Sequence, residues 1–220
     1  MKIKTTAAAS VLALFACGTP EDATRAGIDK RVTSSSTAEA EDRDEDCRRD
    51  GNLLVDPGFE CQTPAAQGGW TLFGGTFSTA FARHGRWSML DAAQSGIVGS
   101  FQQLPAAPGS RWRLTGHGLS PTPIHGAPAF GIVQLSFFDA AGNDLGTVET
   151  ANTGVKAKTS NPVDATTPAG KWTRLDTGMA TAPAGAAFVQ AFTLYVDFTG
   201  LAQGVYFDDL RLTTTTDDEP

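Results

Sequence analysis

The chain has 220 residues, including 24 Gly, 12 Pro and 3 Cys, and a formal net charge of −7. This length suffices for one domain with a hydrophobic core plus flexible ends, and the many Gly and Pro residues favour turns over long helices. A nucleic-acid partner is excluded because it would require a basic face. Most of the acidity lies in residues 18–50 and at the C-terminus, so the part between them is close to neutral.

The N-terminus has the pattern of an export signal. Two lysines precede a short apolar run that ends at Ala16 and is too short to span a membrane. Residues 14–18, LFACG, resemble the lipobox of bacterial lipoproteins, in which the cysteine carries the lipid. The resemblance implies a signal peptide over residues 1–16, lipidation at Cys17 and, with Gly after the Cys, an outer-membrane anchor. The alternative is secretion with cleavage near Ala16.

The segment that follows, residues 17–50, has almost no apolar side chains and is predicted to be a disordered acidic tether. If Cys17 carries lipid, Cys47 and Cys61 remain, and an oxidising compartment favours a disulfide between them. That bond would tie the tether to the start of the domain and stabilise it by about 3 kcal/mol at most. The alternative is two free thiols.

A β-rich domain is predicted over residues 51–214, followed by an acidic tail over 215–220. Short runs of strand-forming residues alternate with Gly and Pro turns, and no sustained helical apolar stripe occurs. The predicted strands are Asn52–Val55, Trp70–Phe73, Thr76–Ala80, Ser88–Asp91, Gly96–Gln103, Arg111–Gly118, Phe130–Asp139, Asp144–Glu149, Lys171–Met179, Phe188–Phe198 and Val205–Thr213. Short strands at this spacing indicate an all-β sandwich or barrel.

Alternation along three central runs, residues 111–118, 130–139 and 188–198, assigns side chains to opposite faces. The more apolar parity is predicted to face the core; in the last run it comprises Phe192, Leu194, Val196 and Phe198. The other parity mixes polar and aromatic side chains and is predicted to be either solvent surface or a binding groove. Its candidate ligand contacts are Arg113, His117, Gln134 and Tyr195.

The two ends of the domain carry its most distinctive motifs. It opens with NLLVDPGFE, residues 52–60, and closes with VYFDDLRL, residues 205–212, with Gly69-Trp70 and RHGRWS, residues 83–88, between them. These motifs resemble the carbohydrate-binding module family of the cellulase C type, families four and nine with family twenty-two as a relative. Asp56 replaces the family's usual Asn. The resemblance implies a jelly-roll, galactose-binding-like β-sandwich that binds carbohydrate.

The same resemblance implies a structural calcium ion where the first and last strands meet. Glu60 and Asp208 would be the side-chain ligands, and carbonyls near His84 and Arg86 would complete the site. Strand parity also places Asp208 on the inward face with the leucines that follow it, where a lone carboxylate costs several kcal/mol unless it is paired or bound to a metal. The alternative is that Asp208 caps backbone N–H groups without a metal.

Sugar binding requires aromatic rings that cover the C–H face of a pyranose and planar polar groups that bind its hydroxyls. On this basis Trp70 and Trp87 join the four candidate contacts on the mixed faces. The alternative for Trp70, as for the other tryptophans, is packing in the core or at its rim, and His117 alone is typical of a surface histidine. The family's sugar contacts vary, so none is transferred to a position here.

No motif supports an enzyme. Asp208 and Asp209 are adjacent on a strand and point to opposite faces, so they cannot act as a paired acid and base. His84, His117 and His125 have no zinc-site spacing, and no G-x-S-x-G turn occurs. We therefore expect a non-catalytic, lipid-anchored carbohydrate-binding protein. The alternative is a structural or adhesion lipoprotein whose jelly roll contacts a protein partner.

Overall fold

The structure is a computed structural model that describes Cys47 and residues 51–93, 95–150 and 156–215. The predicted signal peptide, the predicted lipidation site Cys17, the tether apart from Cys47 and most of the acidic tail lie outside the described residues. No helix in the described part of the chain has the length and apolarity needed to cross a bilayer.

The described residues form two antiparallel sheets. The strands are β1 (Thr71–Phe73), β2 (Gly75–Ser78), β3 (Ser88–Ala93), β4 (Gly96–Pro105), β5 (Arg111–Leu119), β6 (Ala129–Phe138), β7 (Asp144–Gly146), β8 (Lys158–Thr159), β9 (Thr173–Thr181), β10 (Phe188–Asp197) and β11 (Gln203–Thr215). The six-stranded sheet has the order β1-β4-β10-β6-β7, with β8 also paired to β6, and the five-stranded sheet has the order β2-β3-β11-β5-β9. Single 3₁₀ turns occur at Ala65–Gln67 and Val148–Thr150. The predicted all-β sandwich is confirmed.

Side chains from the two sheets meet in one core, and the alternation on β5 and β6 follows the prediction. Trp112 and Leu114 on β5 are buried, as are Val133, Leu135 and Phe137 on β6, while the intervening side chains of β5 lie at the surface. Alternate positions of a strand point to opposite faces. The core therefore lies between the inner faces of the sheets, and both outer faces remain for other contacts.

On β10 the predicted faces are reversed. Thr193 and Tyr195 are fully buried in the core, whereas Phe192 and Val196 lie on the outer face and Phe198, just beyond the strand, is 57% exposed. The buried polar groups have internal partners, since the Tyr195 hydroxyl donates to Asp197 at 3.0 Å and the Thr193 hydroxyl is 2.8 Å from Ser100 Oγ. Hydrogen bonds within the core remove most of the free-energy cost of burying these side chains. The polar residues of β10 therefore do not indicate which of its faces is exposed to solvent.

The opening run of the domain, predicted to be a strand, is irregular. The Leu53 N–H donates to the Leu212 carbonyl at 3.0 Å. The Asn52 side chain accepts from Leu212 N–H at 3.0 Å, and the Gln102 side chain accepts from Val55 N–H at 3.0 Å. The side-chain amides of Asn52 and Gln102 therefore make hydrogen bonds that backbone groups would make between two paired strands. The run follows β11 closely without forming a strand of its own.

A β-bulge between Asp208 and Arg211 changes the parity of β11. Phe207 is in the core before the bulge and Leu210 is in the core after it, while Asp209 adopts a φ of 49°. An inserted residue shifts the following side chains to the opposite face. The prediction that Asp208 shares the inward face of the later leucines is therefore wrong. Asp208 lies on the outer side of the five-stranded sheet, and it is fully buried.

Candidate functional site

Three phenylalanine rings cluster on the outer face of the six-stranded sheet. Phe101 on β4 and Phe192 on β10 are cross-strand partners with ring centroids 5.4 Å apart. Phe73 on β1 lies 6.2 Å from Phe101 and 6.4 Å from Phe192, and it is 37% exposed. These distances are typical of aromatic pairs. The three rings, which we call the aromatic platform, present an apolar surface away from the core.

A row of amide and hydroxyl groups borders the platform on one side. Gln103, Gln190 and Ser136 occupy one register row across β4, β10 and β6, and Gln190 Nε2 donates to Gln103 Oε1 at 2.8 Å. Gln134, the partner of Phe192 on β6, donates to Ser136 Oγ at 3.2 Å. These contacts hold the amides in place while each retains further hydrogen-bonding capacity. We call these four residues the amide row.

On the other side of the platform lies an apolar cavity of about 590 Å³, which we call the aliphatic pocket. Its lining residues are Ile97, Gly126, Ala127, Pro128, Ala129, Phe130, Ile132, Gln134, Thr159, Ser160, Pro162, Asp164, Ala165, Thr166, Leu194 and Val196. Asp164 is the one charged residue among the described residues of this lining, and its Oδ1 accepts from the Thr166 backbone and hydroxyl at 2.9 and 2.7 Å. The pocket thus offers mainly apolar surface to a ligand.

The four polar contacts predicted from the sequence do not converge. Gln134 borders the platform, but Arg113 and His117 lie on the outer face of the five-stranded sheet. There Arg113 forms a bidentate ion pair with Asp176 that lowers the pKa of that carboxyl. Burial and the charge of Arg83 lower the pKa of His117. Tyr195 is in the core, and its pKa is raised by burial and by its bond to Asp197. The expectation that Tyr195 lies on an open face is therefore wrong.

The two predicted tryptophan contacts lie near the core. Trp70 is 2% exposed, its ring is 5.1 Å from that of Phe59, and its indole N–H donates to the Asp56 carbonyl at 2.9 Å. Trp87 is partly buried against the core and carries the Arg86 guanidinium 5.7 Å from its ring centroid. Trp70 therefore packs in the core, which is the alternative reading of its role. Trp87 lies apart from the aromatic platform, at the loop that joins β2 to β3.

Sequence reasoning missed the platform because parity on β10 placed Phe192 in the core. Phe101 occupies the corresponding position on β4, and Phe73 follows Trp70 closely in the chain. One signal was present: the apolar face of residues 188–198 ends in Phe198 and continues past the turn to Leu201, and both side chains prove to be exposed. This apolar run extends beyond the end of the strand, further than packing in the core requires. The sequence alone does not show which face of β10 packs against the opposite sheet.

The loop between β2 and β3 is held by two carboxylates from opposite ends of the domain. Glu60 accepts from Arg86 N–H at 2.9 and 3.0 Å and from Trp87 N–H at 2.9 Å. Asp208 accepts from Arg83 N–H at 2.7 Å and His84 N–H at 3.2 Å. Charge-assisted bonds of this kind are among the stronger hydrogen bonds in proteins. Residues 83–87 therefore connect the opening motif to the last strand.

Glu60 and Asp208, the residues predicted to bind calcium, contact the same loop, and both do so by accepting from its backbone N–H groups. Asp208 Oδ1 also accepts from Asp209 N–H at 2.7 Å, so each oxygen of Asp208 and Glu60 accepts at least one backbone N–H. Burial raises the pKa of Asp208 to about 6 despite these bonds. Calcium requires six to eight oxygen ligands, and the described residues contain no cluster of three or more His, Cys, Asp or Glu side chains able to hold a metal. In this arrangement the two carboxylates do not fit an ion.

Asp56 and the disulfide complete this junction. Cys47 and Cys61 are bonded, with Cα atoms 6.0 Å apart, which confirms the predicted pairing. Asp56 adopts a φ of 50° and accepts from Cys61 N–H at 3.1 Å and Thr63 N–H at 3.0 Å. Burial raises the pKa of Asp56, with these N–H groups opposing the rise. The carboxylate at the position of the family's Asn thus organises the turn that carries Glu60.

A second, smaller cavity of about 410 Å³ lies on the outer face of the five-stranded sheet. Its lining residues are Leu90, Ala92, Ala93, Pro121, Thr122, Ala202, Gln203, Gly204 and Tyr206. The Phe81 ring packs edge-on against Tyr206 with centroids 5.0 Å apart. Among the described residues, this cavity has no neighbouring cluster of three aromatic rings like the platform beside the first cavity. The outer face of the six-stranded sheet is therefore the stronger candidate site.

No protein-family model matches the chain, and the search of curated proteins returns no match. Among solved structures, the C-terminal family 22 carbohydrate-binding module of Clostridium thermocellum Xyn10B is similar with a TM-score of 0.51 and 17% identity, over 79% of this chain and 99% of that one. The enzymatically active domain of bacteriophage CBA120 tailspike protein 4 is similar with a TM-score of 0.51 and 12% identity, over 75% of this chain and 22% of that one. The MgGH51 α-L-arabinofuranosidase, in its arabinose-bound form, is similar with a TM-score of 0.52 and 18% identity, over 76% of this chain and 28% of that one.

At these identities the likeness shows the fold. The chain spans 22% of the tailspike chain and 28% of the arabinofuranosidase, but 99% of the family 22 module. The described sandwich therefore has the fold of a carbohydrate-binding module, and the matching module belongs to family twenty-two, the relative of the two families whose motifs the sequence resembles.

Proposed function

We propose that this protein binds carbohydrate without catalysis, on the outer face of the six-stranded sheet. The observation that carries the proposal is the aromatic platform next to the amide row, on the open surface of a carbohydrate-binding-module fold. A pyranose has apolar C–H faces and hydroxyl edges, and this surface offers a partner for each. The sequence motifs of the opening and closing segments support the same role.

The site binds by stacking and hydrogen bonding. A sugar ring would lie over Phe101 and Phe192, while Gln134 and the other amides accept from and donate to its hydroxyls. Glycoside hydrolysis requires a pair of carboxyl groups flanking the bond. Within the part of the chain that the structure describes, the lining of the pocket supplies one carboxylate, Asp164, which accepts a hydrogen bond from Thr166. Binding therefore suits this surface better than hydrolysis.

Isothermal titration against a panel of xylo-, cello-, manno- and galacto-oligosaccharides tests the proposal. At least one should bind, and Phe192→Ala should weaken that binding by about tenfold or more, because a platform ring is lost. Phe81→Ala is the matched control, since Phe81 is an exposed ring of the loop between β2 and β3 that packs on Tyr206 of the five-stranded sheet. Binding to no member would overturn the proposal and favour the alternative, a structural or adhesion protein with a protein partner.

Arg113 and His117 stay predictions as ligand contacts. Because they lie on the five-stranded sheet, Arg113→Ala should leave binding at the platform unchanged. A loss of affinity in Arg113→Ala comparable with that in Phe192→Ala would move the site to the opposite face. The same titration tests this point, and the Asp176→Asn variant reports on the loss of the ion pairs of Asp176 with Arg113 and Arg174 while both arginines are kept.

We further propose that the mature protein is anchored by a lipid on Cys17 in a bacterial outer membrane; plain secretion is the alternative. The support is the sequence of residues 1–18. Expression with radiolabelled palmitate should label the wild-type chain and should not label Cys17→Ser. Fractionation then distinguishes outer membrane from medium. Label in both variants, or in neither, would contradict the proposal.

Chelation by EDTA tests the structural calcium that the family resemblance predicts. The resemblance predicts that EDTA lowers the Tm and that Asp208→Ala removes this sensitivity. The N–H contacts of Glu60 and Asp208 predict instead that EDTA leaves the Tm unchanged. Ion binding would require the N–H groups of residues 83–87 to turn away from the two carboxylates.

A further inference from the structure

The aliphatic pocket offers branched apolar side chains, for which an unsubstituted sugar has no matching group. Its floor is formed by branched side chains, among them Ile132, Leu194 and Val196, and Ile97 at its edge is 55% exposed. A bare pyranose in this pocket would leave hydroxyls without partners, which is costly. Flat aromatic rings suit a sugar face, whereas a branched aliphatic surface suits methyl groups. The pocket therefore calls for an apolar group on the ligand.

The strand register places the pocket directly beside the platform. Leu194 lies two residues beyond Phe192 on β10, and Val196 lies two residues further. Two residues of a strand span about 7 Å, so a substituent on a ring at the platform reaches the first aliphatic row. Thr159, paired in register with Gln134, lines the pocket at this border and brings a hydroxyl to it.

Resting on the proposed function, we propose that the preferred ligand is a neutral glycan bearing O-acetyl groups, with an acetyl methyl in the aliphatic pocket. The ester carbonyl accepts a hydrogen bond from a hydroxyl such as that of Thr159, while the methyl contacts Leu194 and Val196. The described residues of the lining include no Lys or Arg, and the carboxylate of Asp164 is held in its own turn, so these residues offer no counter-ion to a charged substituent.

The test uses each oligosaccharide of the panel in two forms, chemically O-acetylated and alkali-deacetylated. The acetylated form should bind about tenfold or more tightly than the other, which is the discrimination that a small apolar group in a pocket provides. Val196→Thr, which is isosteric but places a hydroxyl in the pocket, should reduce this preference several-fold. Val148→Thr makes the same change at a site that is 52% exposed and outside the pocket, and should leave the preference intact.

The outcomes separate the two proposals. If glycans bind but the deacetylated forms bind equally well or better, the acetyl proposal is overturned and the proposed function stands. If no glycan binds in either form, both fail. If the preference for acetylated forms is the same in Val196→Thr and the wild type, the acetyl group lies elsewhere and the assignment to this pocket is overturned.

Discussion

Asp91 makes the stability of this protein depend on pH in an unusual direction. The side chain is fully buried between the sheets, and neither of its carboxylate oxygens has a hydrogen-bond partner within the described residues. Burial raises its pKa to about 7. Thr193 lies close enough to offset part of this rise, but its hydroxyl is 2.8 Å from Ser100 Oγ and is shared with that residue.

The magnitude follows from linkage. The pKa of Asp91 moves from 3.8 unfolded to about 7 folded, and each pKa unit corresponds to 1.36 kcal/mol, so the free energy of unfolding should fall by roughly 4 kcal/mol across this window. Because the folded pKa is the higher one, this contribution is fully present below pH 3.8 and is lost as the pH rises through about 7. Asp208, with its pKa raised to about 6, acts in the same direction.

Urea unfolding of the wild type and Asp91→Asn at a series of pH values from 4.5 to 8.5 measures the effect. The two should be similar at pH 4.5, where Asp91 is neutral, and the variant should be the more stable by several kcal/mol at pH 8.5. Asp208 is present in both proteins, so their difference isolates Asp91. Asp139→Asn is the control, because hydrogen bonds lower the pKa of Asp139 and its contribution is lost only at lower pH. Parallel curves for wild type and Asp91→Asn would refute the reasoning.

Three further variants test the contacts that join the two ends of the domain. Gly85→Ala should lower the free energy of unfolding by roughly 1–3 kcal/mol, because Gly85 has a φ of 69° and an added Cβ would lie 2.3 Å from Glu60 Oε1; equal urea midpoints would contradict this. Replacing Cys47 and Cys61 together by Ser should cost about 3 kcal/mol, since the disulfide closes a loop between residues 14 apart; an unchanged Tm would show that the tether adds nothing to the domain. Trp70→Phe should cost about 1 kcal/mol by removing the indole hydrogen bond to the Asp56 carbonyl, which keeps its bond from Phe59 N–H at 3.1 Å; a wild-type denaturation curve would contradict this.

Much of the fold could be predicted because strand alternation and turns are local. Ten of the predicted runs overlap strands, and the parity on β5 and β6 is correct. In the opening run and in β11, the predictions fail where side-chain hydrogen bonds replace backbone pairing or where a β-bulge adds a residue to a strand. Asn52 bonds to β11 through its amide, and the bulge at Asp208 reverses the parity that follows it. The two-residue strand β8 is too short to carry a signal.

The site was harder to predict because both faces of β10 have apolar and polar members. Tyr195 is buried with its hydroxyl bonded to Asp197, and Phe192 is at the surface against Phe101. Hydrophobicity alone favours the opposite arrangement. Which face is buried depends on which inward-facing hydroxyls find partners on the neighbouring strand, as Ser100 on β4 and Thr193 on β10 do. That pairing joins residues far apart in the chain.

The loop held by Glu60 and Asp208 and the proposed binding surface lie on different sheets of the sandwich. Glu60 and Asp208 hold residues 83–87 against the five-stranded sheet, whereas the platform and the aliphatic pocket lie on the six-stranded sheet. The opening motif, residues 52–60, and the closing motif, residues 205–212, both contribute to the first region, where Glu60 and Asp208 bind the same loop. Gly85→Ala should accordingly lower the urea midpoint while leaving glycan affinity in titration unchanged at a temperature where the variant is folded. A parallel loss of affinity would show that the junction shapes the binding face.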